Sequence, residues 1–445
     1  MLGKNNLPLG YIIFFILLTL LIPFISLQYF TILFLILIII FFLSRHHIVD
    51  YYISLMSFSG ASLLMGVIIL ILGNDFEFPI YVLSASIAIT CIGNAAASYI
   101  RTEVNIEDEL DEKLVNATSS IALTIIGALS AFLIAYLTIG WMNFDVAPNQ
   151  LFFLVLIGAL TGALLEVIPS KTNTNLTMML GTGMVMWLFA SFGYYVNFIH
   201  LSIAFIFSLF LSFLAYRQNI ADVSAMLAAL LLGVLIIVFT NINWYLILIS
   251  FFLLGGAFTR YRYDYKLAMG VAQSKGGLRS YENVFSNSIT ALILAVGYGV
   301  YDGSNVLLFA YLGAVATATG DTLASEIGET CKGKPVMITT FEPVRTGTDG
   351  GVTVLGELVC IGGSLITGIL ALALGVIDLA PSGISTYIFW VFIVVLGGFA
   401  GTNFDSLLGA TMQQKGWLSN SGVNLVATMG GAFISGAVFY LTMGM

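Results

Sequence analysis

The chain has 445 residues, of which 59% are hydrophobic and only 9% charged, and its mean hydropathy is +1.02. That composition excludes an ordinary water-soluble domain, which needs far more polar and charged surface. The net charge of -8 comes with no basic tail and no Lys/Arg cluster interleaved with aromatics, so a nucleic-acid partner has no electrostatic footprint here.

Apolar windows long enough to cross a hydrocarbon layer of ~30 Å fall near 8–27, 29–44, 51–73, 77–100, 118–140, 150–168, 177–197, 198–216, 221–240 and 243–258. Five more fall near 287–303, 304–320, 352–374, 385–404 and 422–443. Each matches the length of a membrane-spanning helix, so they predict an all-α polytopic membrane protein with about 15 transmembrane helices. The first window is apolar like a signal peptide, but a second apolar run follows it instead of a small-residue cleavage site, so it reads as a retained span. Cys91, Cys331 and Cys360 are odd in number and lack metal-ligand spacing, which suggests neither a disulfide framework nor a zinc site. His46, His47 and His200 are too scattered to form a metal set or a nucleophile–base pair.

Lys and Arg are retained in short cytoplasmic loops. With alternating helices, Lys4, Arg45, Arg101, Lys113, Lys171, Arg217, the stretch Arg260 to Arg279, the stretch Lys332 to Arg345, and Lys415 all fall on one face. The loops around 74–77, 141–149, 301–305 and 375–384 carry none. The expected topology is a cell-membrane protein with its N-terminus cytoplasmic and its C-terminus outside.

A weak internal repeat aligns Gly93, Asn94, Ala97, Ser98 and Ile100 with Gly320, Asp321, Ala324, Ser325 and Ile327. Further on, Gly158, Gly162 and Glu166 align with Gly397, Gly401 and Asp405. Both pairs are offset by an even number of windows, so the two related bundles, 1–218 and 219–445, are expected to be parallel in orientation. The second copy has Asp321 and a long Gly-rich loop where the first has Asn94 and a short acidic one, which makes it the better candidate for activity.

Three segments of that half carry candidate chemistry. Asp321, Ser325, Glu326 and Glu329 end an apolar span, where a carboxylate is costly to place. Asp321 and Glu326 lie about 140° apart on a regular helix, so they face one ion only if the helix breaks, or else serve different partners. Next, Lys332, Lys334 and Arg345 flank Gly347, Thr348, Asp349, Gly350 and Gly351, a glycine-rich turn of the kind that points backbone N–H groups at an anion. Finally, Asn403, Asp405 and Ser406 end the fourteenth window, with Asn424 opening the next. Asp321 and Asp405 are oxygen ligands of the type that Mg²⁺ prefers. The basic segment before residue 287 supplies Lys266, Lys275, Arg279, Glu282 and Asn287, either as topology markers or as groups for a substrate phosphate.

The order "KLAMGVAQSKGGLRSYENVFSNS", "GDTLASEIG", "KGKPVMITTFEPVRTGTDGGVTVLG" and "DSLLGATMQ", with "VNLVAT" after it, resembles the phytyl-phosphate kinase and transmembrane-protein-19-like family, also called domain of unknown function 92. The resemblance covers roughly 219–445. It implies an enzyme of the bilayer that phosphorylates an isoprenoid monophosphate to the diphosphate, using a nucleoside triphosphate such as CTP with Mg²⁺. Carried over by position, the family's acidic motif falls on Asp321, Ser325 and Glu326. The basic Gly-rich loop falls on Lys332, Lys334 and Gly347 to Gly351, and the last acidic motif on Asp405 and Ser406. Where members often read Pro-Pro before the Gly-Thr, this chain has Arg345 and Thr346.

The first half is more distantly similar to dolichol and phytol kinases through "GALLEVIPSKTNTNLT". There Thr174 stands at the Asp position and Asn94 replaces the other acid, leaving Glu166 and Asn175, so a degenerate, inactive bundle is expected. The residues alone leave two alternatives open: an ion-coupled transporter of an anion, and a CTP-dependent cytidylyltransferase acting on a lipid phosphate.

Overall fold

The computed structural model describes residues 27–43, 78–103, 109–169, 173–194, 196–301, 303–331, 333–378 and 383–443, with a few isolated positions before residue 70. The described backbone is nearly all helical. In the first half lie α1 (Leu27–Leu43), α2 (Ile80–Ala88), α3 (Asn94–Glu103), α4 (Glu109–Met142), α5 (Pro148–Val167) and α6 (Thr174–Ser191). There follow α7 (Phe198–Arg217), α8 (Val223–Phe239), α9 (Ile242–Arg260), the short α10 (Tyr263–Ala268), α11 (Tyr281–Val300) and α12 (Asn305–Gly328). The last are α13 (Val354–Ala373), α14 (Ile384–Leu408) and α15 (Asn420–Met443). A π-helical turn, Ile89–Gly93, joins α2 to α3, and another, Gly409–Gln413, extends α14.

Side-chain caps start several of these helices, as their sequences favour. Asp222 accepts from the Ala225 amide at α8, Asn241 from Asn243 and Trp244 at α9, and Thr353 from Gly356 at α13.

The protein is an all-α polytopic membrane protein, and ten helical stretches among the described residues are long and apolar enough to span a bilayer. The expected count of fifteen is not reached there. The windows at 8–27 and 51–73 lie largely outside the described residues, as do His46 and His47. Three other windows fall on helices that are shorter, as in Thr31–Ile40 and Val223–Phe239, or more polar, as in α6 with Asn175 and its threonines. Large apolar side chains such as Phe210, Ile293, Phe392 and Phe433 stand exposed on the spans. Such a surface is a liability in water and is the ordinary lining of a lipid contact.

The chain divides into two units, Met1–Leu201 and Ser202–Met445. The division falls inside α7, whose Ser208 lies against α8: a Cβ at Gly233 would overlap Ser208 Oγ. In the first unit the helical run α2–α3 packs on α4, α4 on α5, α5 on α6, and α6 back on α2. In the second, α12 packs on α13, α13 on α14, α14 on α15, and α15 back on α12. In that unit every described Lys and Arg sits in, or at the edge of, connections at one end of the helices, while the connections at the other end carry none among the described residues.

Candidate active site

Small residues bring three helices of the second unit unusually close. A Cβ at Gly431 of α15 would overlap Thr317 Oγ1 of α12, and a Cβ at Gly397 or Gly401 of α14 would overlap Ser435 or Thr317. Without side chains at these crossings the backbones pack tightly, as in many membrane bundles. Asp321 lies one helical turn beyond Thr317, and Asp405 one turn beyond Gly401, so the crossing carries both carboxylates to the same end of the bundle.

There they line one cavity of about 290 Å³. Of the expected site residues, Asp321, Ser325, Glu326, Asp405, Ser406 and the loop Gly347, Thr348, Asp349, Gly350, Gly351 all border it. Lys334 and Arg345 do not; both are exposed, in the connection that carries the two-residue strands β1 (Val336–Met337) and β2 (Gly351–Val352). Lys332 lies outside the described residues. The positive charge expected from Lys334 and Arg345 is therefore not brought to the cavity. Val344 N–H donates to Pro335 O at 2.9 Å beside the Val336–Pro343 bridge, and this turn leaves Arg345 off the cavity lining while Gly347 to Gly351, which follow it, border the cavity.

The loop is held by its own turns. Gly347 and Gly350 have φ of +82° and +80°, a region that favours glycine. Thr348 N–H donates to Arg345 O at 3.1 Å and Gly351 N–H to Thr348 O at 2.9 Å. Those two amides are thus committed, leaving the amides of Gly347, Asp349 and Gly350 outside these turn bonds. Gln414 Nε2 donates to Asp349 O at 2.8 Å, and a Cβ at Gly350 would stand 2.6 Å from the Ala410 nitrogen, so the loop rests directly on the π-helical turn after Asp405.

Helix α12 is regular through Gly328, and Glu326 on it has partners of its own. Lys266 of α10 forms a buried ion pair with Glu326, and the same carboxylate accepts from Gln273 Nε2 at 2.7 Å and Thr259 Oγ1 at 2.8 Å. Glu326 thereby ties the 261–280 connection to α12, and its oxygens are spent on that task.

Arg279 supplies the cavity's positive charge. Its backbone is pinned to the segment before α8, with Arg279 N–H donating to Ile220 O at 3.0 Å and Asp222 N–H to Arg279 O at 2.9 Å. The side chain is 7% exposed, and its guanidinium lies 5.2 and 5.5 Å from the Phe251 and Phe252 ring centres. A Cβ at Gly255 would overlap Nη2, so glycine there makes the room. Burial lowers the Arg279 pKa to about 10, opposed by Glu326, and the group stays charged at neutral pH. Among the described residues it donates no side-chain hydrogen bond. Among the described residues the other charged groups bordering the cavity are carboxylates: Asp321, Glu326, Glu329, Asp349, Glu357 and Asp405.

Among the described residues no group of three or more His, Cys, Asp or Glu side chains is arranged to hold a metal ion alone. The donors present still fit Mg²⁺, which is commonly bound by one or two carboxylates together with phosphate oxygens and waters. Thr402 Oγ1, on the cavity wall, is buried without a hydrogen-bond partner in the described structure. In the amide orientation that satisfies its surroundings, Asn424 donates to Asp405 Oδ2 at 3.3 Å.

The model of the family "Integral membrane protein DUF92" matches residues 206–432, just over half of the chain and wholly within the second unit. The chain belongs to this family. It is 32% identical over 234 residues to an uncharacterized membrane protein of Methanocaldococcus jannaschii, covering 52% of this chain and 91% of that protein. It is 31% identical over 232 residues to Protein PGR of Arabidopsis thaliana, covering 48% and 80%. Protein VTE6, chloroplastic, of the same plant is 27% identical over 221 residues, covering 48% and 63%. No solved structure matches.

In this DUF92 protein several cavity residues had no signal of their own in the sequence. Gln273 lies in a connection and Asn283, Thr402, Gln413 and Asn420 near span ends, where polar residues are common. Glu357 was hidden as a first-turn acid of α13, a position the helix dipole favours; in the fold it accepts from Asn403 Nδ2 at 3.0 Å.

Proposed function

We propose that this DUF92 protein is a membrane kinase that transfers the terminal phosphoryl group of a nucleoside triphosphate, CTP or similar, to an isoprenoid monophosphate. The products are the isoprenoid diphosphate and the nucleoside diphosphate. A phosphate oxygen of the isoprenoid bonds to the γ-phosphorus, and the bond from that phosphorus to the β–γ bridging oxygen breaks. The attacking oxygen is already ionised, so no strong base is required.

The observation that carries this reading is the convergence of Asp321 and Asp405, from different helices, with the Gly347–Gly351 loop on one cavity. Phosphoryl transfer asks a protein mainly for positioning and electrostatics. Asp321 and Asp405 would hold Mg²⁺, with the hydroxyls of Ser406 and Thr402 nearby on the cavity wall. Bound there, the ion would supply positive charge against the triphosphate. The amides of Gly347, Asp349 and Gly350 orient the transferred group, Thr348 and Ser325 offer hydroxyls, and Arg279 receives the isoprenoid phosphate. Glu326 and Lys266 hold the wall on which Arg279 stands. The family resemblance supports the same substrate class, and the gathering of basic residues at the cavity end supports placing that end in the cytoplasm.

The first unit is proposed as a related, inactive bundle. Its four-helix contact order repeats that of the second unit. At the positions that the sequence repeat aligns with the acids, Asn94 Nδ2 donates to Asn175 Oδ1 at 3.1 Å, and Glu166 pairs with Arg101 at 2.5 Å, so the one remaining carboxylate already has a guanidinium as its counter-charge.

The test is product analysis with purified protein, labelled CTP and geranylgeranyl phosphate. Isoprenoid diphosphate with CDP supports the kinase; pyrophosphate release identifies cytidylyl transfer; uptake into proteoliposomes without any product identifies a transporter.

A further inference from the structure

A second cavity, of about 730 Å³, opens between α11, α12 and α15 and is lined almost wholly by apolar side chains. Its volume falls in the range of roughly 300–1,000 Å³ usual for small-molecule sites. Ala310 and Ala432 form its floor, and Ile293, Met429, Phe433 and Tyr440, all exposed, form its lips. From Leu425 to Tyr440 it follows α15 for about 22 Å at 1.5 Å per residue, most of a hydrocarbon layer of ~30 Å.

Its lining residues neighbour those of the polar cavity on two helices. On α11, Asn287 borders the polar cavity and Thr290, one turn further, borders the apolar one. On α15 the neighbours Asn424 and Leu425 divide in the same way. Thr290 and Thr428 share a hydrogen bond of 3.0 Å across this seam, joining α11 to α15. The polar end of α11 is also the end next to Arg279, the guanidinium that donates no side-chain hydrogen bond among the described residues.

We infer that this groove seats the hydrocarbon tail of a single-chain lipid phosphate of the isoprenoid class, whose head lies at Arg279 in the polar cavity and whose tail enters sideways from the bilayer between α11 and α15. The inference rests on the kinase reading for the identity of the head group. Adjacency to the polar cavity along both α11 and α15 separates this groove from a surface that ordinary acyl chains cover. A two-chain phospholipid would have to seat its second tail elsewhere.

The probe is a geranylgeranyl phosphate with a diazirine at its tail end, photolysed with the full chain in nanodiscs. Label is expected on peptides of α11 and α15, displaced by geranylgeranyl phosphate but not by the same excess of geranylgeraniol or phosphatidylglycerol. Ala437→Trp, which obstructs the groove toward its far end, is expected to cut that label at least tenfold and to raise KM for geranylgeranyl phosphate. Turnover of dimethylallyl phosphate, whose tail is too short to reach Ala437, is expected to stay unchanged. Label on other helices, or label displaced equally by phosphatidylglycerol, overturns the groove even if diphosphate is formed. Specific label without turnover keeps the groove and removes the kinase. No specific label at all overturns the groove.

Discussion

Lys266 and Glu326 form an ion pair that is 1% and 3% exposed, with the ammonium also donating to the carbonyls of Phe258 and Thr259 at 2.9 Å. Removing one partner of such a pair strands a charge, at a cost of about 3–5 kcal/mol, whereas replacing both is far milder. Lys266→Met is expected to lower the melting temperature of the detergent-solubilised protein sharply, and Lys266→Met/Glu326→Met to recover most of the loss. Equal losses in the single and double variants would mean that the pair does not tie α10 to α12.

That pair also shows how far the sequence could be read. The helices, their apolar faces and the three acidic or Gly-rich segments around the cavity follow from local pattern, because span length and span-end carboxylates are local features. Which cation meets which carboxylate is not local. Lys334 and Arg345 lie nearest the glycines along the chain yet are exposed, and Lys266 and Arg279, from a different connection, reach α12 and the cavity. The two-residue strand pairing and the single Val336–Pro343 bridge in that connection have too little periodicity to be seen beforehand.

Gly255 leaves the space that Arg279 occupies. Gly255→Ala is expected to displace the guanidinium without unfolding the helix, since alanine is a better helix former. KM for the isoprenoid phosphate should rise about tenfold, the equivalent of roughly 1.4 kcal/mol, with KM for the nucleotide little changed. A rise in the nucleotide KM alone would assign Arg279 to the triphosphate instead.

Gly350 combines a φ of +80° with a close approach to Ala410. Gly350→Ala forces the loop off the π-helical turn, and activity should fall by about 10²–10³-fold, the scale of losing a positioned donor. A variant with normal nucleotide turnover would separate this loop from the phosphates.

Glu329 follows the last residue of α12, where burial, helped by Glu326 and opposed by Lys266, raises its pKa from 4.5 to about 7. The folded protein therefore holds this proton more tightly than the unfolded chain, and the group costs stability progressively as pH rises from about 4.5 to about 7. Glu329→Gln should melt together with wild type near pH 4.5 and above it at pH 8. Parallel melting curves across that window would contradict the placement of Glu329 against Glu326.

In the first unit, Arg101→Met leaves the Glu166 carboxylate, 8% exposed, without its partner. The expected result is a stability loss of about 1–3 kcal/mol in chemical denaturation, with kcat of the remaining folded protein unchanged. A selective loss of kcat would give the first unit a catalytic share.

The most direct test of the account is the rate of isoprenoid diphosphate formation by wild type, Asp321→Asn, Asp405→Asn and the double variant in nanodiscs, at saturating Mg²⁺ and with melting temperatures matched. Two acids that grip one cation act as a unit, and such groups are far from additive. Each single variant should therefore lose about 10²–10³-fold, and the double variant little more. Single variants near the wild-type rate, or a double variant whose loss is the product of two independent losses, would contradict a shared metal site at Asp321 and Asp405.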